Sequence, residues 1–292
     1  MHEPVMVAEV LEHLAPGRGG LFVDCTVGYG GHTRALLDAG ASRVIGFDRD
    51  PSALAQAAGV LAEFAPRVEL VQSDYRRIDE ELDARQLTQV EGVLADLGVS
   101  SMQLDAEGRG FSFRRDEPLD MRMDQTSGQT AADAVNSADE RELADVIYEF
   151  GEERHSRRIA RAIVEARASG AIETTGRLAE IVRRAIPRKG YSRIDPATRT
   201  FQALRIWVNA ELDGLDAFLT AAVRRLAPGG RIAVIAFHSL EDRIVKHTFR
   251  SLQTAGELTI RTKRPLTAGD TEVDRNPRAR SAKLRAAERQ VA

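Results

Sequence analysis

The sequence predicts an α/β protein, with a doubly wound, mostly parallel Rossmann-like sheet and an inserted all-α domain. Three observations indicate this fold class. Apolar stretches of strand length alternate with helical stretches in the first 97 residues, which is typical of a parallel sheet covered by helices on both faces. The strand pattern then disappears until about residue 205. It returns with one further strand after that point.

Five strands are expected in the sheet, each a short apolar run. They are residues 21–25, 43–48, 68–72, 92–97 and 231–237. Asp50 followed by Pro51 is typical of a helix N-cap and a first helical residue, so a helix is expected after the second strand and Asp50 is interpreted as structural. The sequence Leu226-Ala227-Pro228-Gly229-Gly230 ends a helix and turns into the fifth strand.

Helical spacing replaces the strand pattern in the middle of the chain. The apolar residues that recur at this spacing are Leu143, Val146, Ile147 and Phe150, then Ile159 and Ile163, then Leu178, Ile181, Val182 and Ile186. We therefore expect a discontinuous domain, 1–105 with 206–292, and an inserted helical domain, 106–205. Near the carboxyl end, Asn276-Pro277-Arg278-Ala279-Arg280-Ser281 is expected to be extended and partly mobile.

Composition excludes several classes of protein. With 292 residues and 43% hydrophobic content the chain can bury a large core, and its apolar stretches are too short to span a membrane. The amino terminus lacks a signal-peptide pattern and the single cysteine excludes internal disulfides, so a cytoplasmic protein is expected. The six histidines show no metal-ligand spacing, and no metal is expected.

Positive charge is concentrated in two segments, although the whole chain has a net charge of −3. Residues 141–205 contain 14 Lys or Arg against 9 Asp or Glu, and residues 261–292 contain 9 against 4. Such segments favour contact with a nucleic acid, because neutralising its phosphates releases counterions. The alternative is a solvated helix face together with a loose tail.

The most informative stretch follows the first strand, which reaches Asp24 and then breaks into Gly28, Gly30 and Gly31. A glycine loop at this point lets backbone approach a nucleotide-like ligand. The dinucleotide fingerprint G-x-G-x-x-G needs a third small residue, and Thr33 occupies that position. S-adenosylmethionine (SAM) has no pyrophosphate and needs space for its methionine part and an acceptor for its ammonium, which Asp24 and the glycine turn can provide. A dinucleotide site and a glycine turn without a ligand are the alternatives.

Two further positions fit the nucleoside part of such a ligand. Asp48 ends the second strand, at the edge where ligands bind in open parallel sheets, and it is assigned to the ribose diol. Tyr75 follows the third strand. It either flanks an adenine ring or is a half-exposed loop aromatic.

Asp96 ends the fourth strand, where methyltransferases of the doubly wound class place the methyl acceptor. An aromatic amine is a poor nucleophile because its lone pair is delocalised into the ring. A carboxylate that accepts its hydrogen bonds helps the amine to pyramidalise and attack, while positioning and desolvation do the rest. Amine methyltransferases often have Asp/Asn/Ser-Pro-Pro-aromatic here, whereas Asp96-Leu97-Gly98-Val99 keeps only the acid. The alternative for Asp96 is a cap or a cofactor contact alone.

Two histidines flank this predicted site. His32 follows the glycine loop and is expected to contact the cofactor. His238 ends the fifth strand, where it is either a catalytic residue that orients substrate or passes a proton, or a packed loop residue. Ser239 with Asp242 three residues later has capping-box spacing, so these two are expected to be structural.

The chemistry of the target base involves other side chains. A base extruded into the site would need an aromatic partner, and the candidates are Phe111, Phe113 and Phe237, although each alone is more typical of a core. Methylation of a pyrimidine ring carbon usually needs a cysteine nucleophile. Cys25 lies at the end of the first strand, where a small buried hydrophobe is expected, and is badly placed for that role.

With these residues in place, the chain resembles the ribosomal RNA small subunit methyltransferase H family. The resemblance covers nearly the whole chain and is therefore more specific than a single glycine loop. The matching motifs are His2-Glu3-Pro4-Val5, Gly28-Tyr29-Gly30-Gly31-His32, Phe47-Asp48-Arg49-Asp50-Pro51, Asp96-Leu97-Gly98-Val99-Ser100-Ser101, Gln103-Leu104-Asp105, Arg109-Gly110-Phe111-Ser112-Phe113, Leu119-Asp120-Met121-Arg122-Met123-Asp124, Tyr148 through Gly151-Glu152-Glu153-Arg154, Thr198-Arg199-Thr200-Phe201-Gln202-Ala203-Leu204-Arg205-Ile206 and Phe237-His238-Ser239-Leu240-Glu241-Asp242-Arg243.

The resemblance implies a SAM-dependent enzyme that methylates N4 of a cytidine in the decoding centre of 16S rRNA, with the small ribosomal subunit as partner. It implies that the helical insert is the substrate-side domain. It also implies cofactor contacts at Gly30, Gly31, His32, Asp48, Asp96, Gln103 and the position of Tyr75. The rival hypotheses are a methyltransferase for small molecules and a SAM-binding RNA assembly factor without turnover.

Overall fold

The computed structural model describes residues 4–98, 107–186 and 195–291. The chain divides into two compact units. Unit 1 is Met1–Gly98 with Leu212–Ala292, and unit 2 is Val99–Glu211. The first domain boundary expected from the sequence, after residue 105, lies outside the described residues. The second, after residue 205, lies inside the helix Ala197–Asn209, which belongs entirely to unit 2.

Unit 1 contains a seven-stranded sheet in the order β3-β2-β1-β4-β5-β7-β6. Its strands are β1 (Leu21–Asp24), β2 (Arg43–Asp48), β3 (Val68–Gln72), β4 (Val90–Asp96), β5 (Leu226–Ala236), β6 (Leu258–Ile260) and β7 (Lys283–Arg289). Strands β1 to β5 are parallel to one another, and β7 is antiparallel to both β5 and β6. The expected doubly wound, mostly parallel sheet is confirmed, and it is two strands wider than the sequence indicates.

The helices of the described residues are numbered in chain order, and those of unit 1 cover both faces of the sheet. They are α1 (Val7–Leu14), α2 (Gly31–Asp38), α3 (Pro51–Val60), α4 (Ile78–Ala84), α10 (Leu215–Arg225), α11 (Ser239–Thr254) and α12 (Asp270–Arg275). Successive strand residues point to opposite faces, so Val93 joins the core that contains Phe218 and Phe249, while Leu94 joins the core that contains Leu36. The sheet therefore separates two apolar cores.

Unit 2 is built from helices around a third core. They are α5 (Ala131–Ser137), α6 (Glu140–Glu149), α7 (Ser156–Ala168), α8 (Thr175–Ala185) and α9 (Ala197–Asn209). The helical spacing read from the sequence is confirmed, because its apolar positions are buried together, among them Leu143, Ile147, Ile159, Ile163, Leu178 and Val182. No helix in the described parts of either unit combines the length and the apolar composition required to cross a membrane.

The carboxyl-terminal segment differs from the sequence-based expectation. Residues Pro277–Ser281 form a 3-10 helix, and the Asn276 side chain caps it by accepting a hydrogen bond from the amide of Arg278 at 3.3 Å. The expectation of an extended segment is therefore wrong. Strand β7 follows immediately and lies between β5 and β6, with Leu284 fully buried. This end of the chain is part of the sheet.

Candidate active site

The carboxyl edge of the parallel sheet brings the predicted acids of unit 1 to one side. Asp24, Asp48 and Asp96 are the last residues of β1, β2 and β4. Asp24 is in register with Gly46 of β2 and Leu94 of β4. The three strands are adjacent, so the three carboxylates follow one another along the edge where ligands bind in open α/β sheets.

The glycine loop connects β1 to α2 through backbone conformations that favour glycine. Gly28 and Gly30 have φ angles of +52° and +81°, in the left-handed region. Gly30 is the N-cap of α2, and a Cβ there would lie 2.9 Å from Cδ1 of Leu61. A Cβ at Gly28 would meet no atom within 4 Å. The loop is thus closely packed at Gly30 and open at Gly28, where a ligand has room to approach.

Asp48 holds this loop from the neighbouring strand. Its Oδ2 accepts a hydrogen bond from the amide of Gly28 at 2.8 Å, and its Oδ1 accepts one from the amide of Asp50 at 2.9 Å. Burial raises the pKa of Asp48 to about 6, although both backbone hydrogen bonds oppose the rise. The carboxyl group therefore changes charge within an accessible range of pH.

Asp50 has the structural role that its position before Pro51 predicts. Its Oδ1 accepts hydrogen bonds from the amide of Ser52 at 2.9 Å and from the Ser52 hydroxyl at 2.6 Å. It is the N-cap of α3, with Pro51 as the first helical residue. The interpretation of Asp50 as a cap is confirmed.

Asp24 is fully buried beneath the glycine loop. Its Oδ2 accepts a hydrogen bond from the Thr33 hydroxyl at 2.7 Å, and its Oδ1 accepts one from the amide of Thr26 at 3.2 Å. Burial raises the pKa of Asp24, while the Thr33 hydroxyl and then His32 oppose the rise. Asp24 thus ties the start of the loop to the first turn of α2, and its contact with a cofactor ammonium stays a prediction.

His32 and Asp96 form a pair at the same edge. His32 Nε2 lies 3.5 Å from Asp96 Oδ2, with the two side chains 6% and 24% exposed. Burial alone lowers the pKa of His32, but Asp96 and, more weakly, Asp24 hold it above the usual value. Within the described ranges, neither ring nitrogen of His32 nor Oδ1 of Asp96 has a hydrogen-bond partner. These buried polar atoms are available to a ligand.

The backbone of Asp96 is fixed from the first strand. Its amide donates a hydrogen bond to Oγ1 of Thr26 at 2.7 Å. The strand continues into Leu97, whose amide donates to the carbonyl of Ile235 on β5 at 2.9 Å. The acid therefore stands on a rigid strand end between β1 and β5, as a group that must orient a substrate should.

His238 is the N-cap of α11. Its Nδ1 accepts a hydrogen bond from the amide of Glu241 at 3.4 Å, and Glu241 Oε2 accepts one from the amide of His238 at 3.3 Å. His238 Nε2 also lies 3.2 Å from Glu241 Oε1. The expected capping box of Ser239 and Asp242 is wrong by one residue. The box is His238 with Glu241, and a catalytic role for His238 stays a prediction.

Tyr75 and Gln103 complete the predicted set. Tyr75 follows β3 in a short 3-10 turn, and its ring packs against Phe218 with centroids 4.6 Å apart and planes inclined at 57°. It is partly buried, so one side of the ring is occupied by the core. Gln103 lies outside the described residues.

Of the three aromatic candidates for base stacking, two belong to the core of unit 2. Phe111 is buried, and the Phe113 ring packs edge-on against Phe201 with centroids 4.7 Å apart. Phe237, at the end of β5 in unit 1, is only partly buried and packs beside Gly98. Phe237 is therefore the candidate of the three that stands at the carboxyl edge.

Cys25 is buried, as its position at the end of β1 predicts. Burial, and secondarily the Asp24 carboxylate, raise the pKa of its thiol well above the usual value. The thiolate needed for nucleophilic attack is thus disfavoured. Cys25 is a packing residue in this structure.

A match to a family model decides what the chain is. The model described as the MraW methylase family matches residues 1–290. The chain belongs to this family. Methylases of the MraW family transfer a methyl group from SAM, so SAM is the cofactor of this protein.

Curated relatives agree with the family over the full length of the chain. A ribosomal RNA small subunit methyltransferase H of Deinococcus radiodurans is 57% identical over 292 residues, covering 100% of this chain and 90% of the relative. Proteins of the same name from Sorangium cellulosum and Geotalea uraniireducens are 54% and 50% identical, each over 99% of this chain and over 90% and 98% of their own lengths.

The residues of the edge suit SAM. The open approach at Gly28 offers backbone contact, Asp48 offers acceptors for ribose hydroxyls, and His32 and Asp96 carry buried polar atoms without partners among the described residues. Thr26 and Thr33 are site residues that sequence reasoning missed as such. Their hydroxyls bind the amide of Asp96 and the carboxylate of Asp24, and no local pattern marks them because their partners are distant in sequence.

Proposed function

We propose that this protein methylates the exocyclic N4 of a cytidine in the decoding centre of 16S rRNA, in the bacterial cytoplasm. The observation that carries the proposal is Asp96, a carboxylate on a rigid strand end whose Oδ1 has no hydrogen-bond partner in the described chain. The relatives named as ribosomal RNA small subunit methyltransferases support the choice of rRNA.

The acceptor amine is a poor nucleophile because its lone pair is delocalised into the ring, and the proposed chemistry overcomes this. When bound, SAM supplies a methyl group attached to a sulfonium sulfur, and this sulfur becomes a neutral thioether when the methyl group is transferred. Asp96 accepts hydrogen bonds from the amine, so the nitrogen lone pair is drawn out of conjugation and can attack. The N–CH3 bond would form as the methyl–sulfur bond breaks, and the proton of the N–H that points to Asp96 would leave to solvent along this carboxylate, whose side chain is 24% exposed. Positioning supplies much of the rate.

His32 supports Asp96 in this role. At 3.5 Å from Oδ2, its imidazole occupies one side of the carboxylate and leaves Oδ1 for the substrate. Burial lowers the pKa of His32, but Asp96 and, more weakly, Asp24 hold it above its usual value.

The cysteine content favours an amine over a ring carbon as acceptor. Methylation of a pyrimidine ring carbon commonly proceeds through a thiolate that adds to the ring. Cys25 is the single cysteine of the chain, and it is buried with its pKa raised. The chain thus lacks a suitable nucleophile, whereas an exocyclic amine needs an acceptor and no covalent intermediate.

Unit 2 is proposed to be the substrate-side domain. Arg157 and Arg158 in α7 are exposed and form no ion pair with any residue that the structure describes. Tyr148 at the end of α6 is 62% exposed. Unpaired arginines and an exposed aromatic ring are the side chains that bind phosphates and stack on bases.

One experiment tests the proposal and its rivals. Small subunits and free 16S rRNA from cells that lack this modification are incubated with the protein and methyl-labelled SAM, then digested to nucleosides. The expected label is N4-methylcytidine. Label on a ring carbon or a ribose would refute the chemistry, and labelled small molecules with unlabelled RNA would favour the small-molecule hypothesis. SAM binding without any transfer would favour an assembly factor.

A further inference from the structure

The first residues of strand β7 place positively charged side chains at the edge of the sheet where the candidate site lies. It is antiparallel to β5, with Lys283 in register with Ala236 and Leu284 with Ile235. It therefore begins where β5 ends. Lys283 is 37% exposed, and Arg285, two residues later, is 10% exposed. The positive charge of this part of the chain thus occupies fixed positions in the sheet.

The segment after β6 adds two more cations at the same place. The amide of Arg261 donates to the carbonyl of Ala286 at 2.9 Å, and the amide of Leu266 donates to the carbonyl of Leu284 at 2.9 Å. Lys263 and Arg264 lie between these two anchor points and are exposed. The backbone of Lys263 and Arg264 therefore runs beside the first residues of β7.

Helix α11 completes the cluster from the other side. Asp242 in its first turn accepts a hydrogen bond from Nε of Arg285 at 2.6 Å and lies 4.0 Å from Nζ of Lys283. Lys246 stands four residues after Asp242, and residues at this spacing share one helix face. Lys246 is therefore on the side of α11 that faces the start of β7.

We define the edge cluster as Lys246, Lys263, Arg264, Lys283 and Arg285. The contacts that assemble it include one carboxylate, that of Asp242. Within the described ranges, Lys246, Lys263 and Arg264 form no ion pair. Surface cations elsewhere in unit 1 are commonly paired, as Arg43 is with Glu69. A local excess of unpaired cations is typical of a surface that binds a polyanion.

We propose that the edge cluster binds the phosphate backbone of the RNA strand next to the target cytidine. Asp96 is in register with Ile235, and Ile235 with Leu284, so the start of β7 lies about 10 Å from Asp96 at two strand spacings. Phosphates flanking a nucleotide held at Asp96 would reach this surface. The inference rests on the proposed function and adds to it a binding surface for the substrate.

The test compares two triple variants with the same change of charge. The test variant is Lys246→Gln, Lys263→Gln and Arg264→Gln. The control variant is Arg18→Gln, Arg43→Gln and Arg224→Gln, whose exposed side chains stand at the opposite, amino edge of the sheet, before β1, at the start of β2 and before β5. The affinity of each variant for a 16S rRNA transcript is measured at several salt concentrations in the presence of adenosylhomocysteine.

The edge cluster predicts a difference in salt dependence. Each phosphate contact contributes about 0.7 to 0.9 to the slope of log affinity against log salt. The test variant should lower that slope by about 2 and weaken binding at low salt by at least about tenfold, while the control keeps the wild-type slope. Equal slopes in the two variants would overturn the proposal.

A second measurement separates this surface from the proposed function. At saturating rRNA the test variant should methylate at a rate within about twofold of wild type with a raised KM, because a phosphate contact that touches none of the reacting atoms acts on binding. If the test variant had the KM of wild type, the proposed phosphate-binding surface would be refuted, and the proposed N4 methylation would be unaffected. A changed salt slope without N4 methylation by the wild type would support an RNA surface and refute the proposed reaction.

Discussion

Nε2 of His32 lies 3.5 Å from Oδ2 of Asp96, which joins the first turn after the glycine loop to the end of β4. The cofactor loop and the acid assigned to the substrate amine are therefore coupled through one side-chain contact. The imidazole lies beside Oδ2 of Asp96, and Oδ1 has no hydrogen-bond partner among the described residues. Oδ1 is the acceptor that the proposed mechanism assigns to the amine.

Replacing the Asp96 carboxylate should reduce the chemical step. In Asp96→Asn the carboxamide keeps the size of the side chain but has one acceptor oxygen and no charge. We expect methyl transfer in a single turnover to be slower by about 10²- to 10³-fold, the usual range for a group that acts on a proton or a developing charge. A rate within threefold of wild type, at saturating SAM and rRNA, would remove Asp96 from the mechanism.

The affinity for SAM should depend on pH through Asp48. In the cofactor-free protein its pKa is about 6, so the carboxyl is protonated below that pH and loses acceptor capacity for ribose hydroxyls. SAM affinity should therefore fall as the pH falls through 6, by up to about tenfold per pH unit, and binding near pH 5.5 should release a proton. Calorimetry in buffers with different ionisation enthalpies measures both quantities.

The matched control for Asp48 is Asp48→Asn, which cannot ionise. We expect it to bind SAM more weakly than wild type at pH 7.5 and to show a flatter pH dependence between 5 and 7.5. Because His32 also titrates with a raised pKa, this variant shows which part of the dependence belongs to Asp48. A pH profile unchanged by Asp48→Asn would assign the effect elsewhere.

Thr33 should stabilise the fold through the buried carboxylate of Asp24. Thr33→Val removes the 2.7 Å hydrogen bond to Oδ2 of Asp24 at nearly constant volume. We expect the free energy of unfolding to fall by about 2 kcal/mol, because a fully buried acceptor loses its donor. Thr33→Ser keeps the hydroxyl and should cost about 1 kcal/mol at most. Urea unfolding measures the free energy of unfolding, and an equal decrease in the two variants would contradict this role of the Thr33 hydroxyl.

Removal of residues 283–292 should unfold unit 1. Strand β7 pairs with β5 over six register positions and with β6 over three, and Leu284, Ala286 and Ala287 are buried. The truncated protein should lose cooperative thermal unfolding as well as SAM binding. If the truncated chain instead kept wild-type unfolding and SAM affinity, β7 would be dispensable and the fixed position of the edge cluster would be refuted.

Local sequence patterns predict the parts of this protein whose physics is local. The five parallel strands are continuous apolar runs because both of their faces are buried, and Asp48 and Asp50 are distinguished by the strand before them and Pro51 after them. Strand β7 was missed because four of its seven residues are charged. Arg285 satisfies its charge with Asp242 and Arg231 pairs with Glu288, and those partners are distant in sequence.

The site shows the same limit. Local patterns do not predict a histidine N-cap, because Ser, Thr, Asp and Asn are the usual caps and therefore favour Ser239 over His238. The contacts from Thr26 to Asp96 and from Thr33 to Asp24 cross between elements and depend on the sheet register. The identity of the acids was predictable, and the way they are held was not.

The most direct test of the central claim is a crystal structure of the protein with adenosylhomocysteine bound. The account predicts ribose hydroxyls within hydrogen-bonding distance of the Asp48 carboxylate, backbone contact at Gly28, and the sulfur on the side of Asp96. A nucleoside bound elsewhere, or an empty carboxyl edge at saturating ligand, would contradict it.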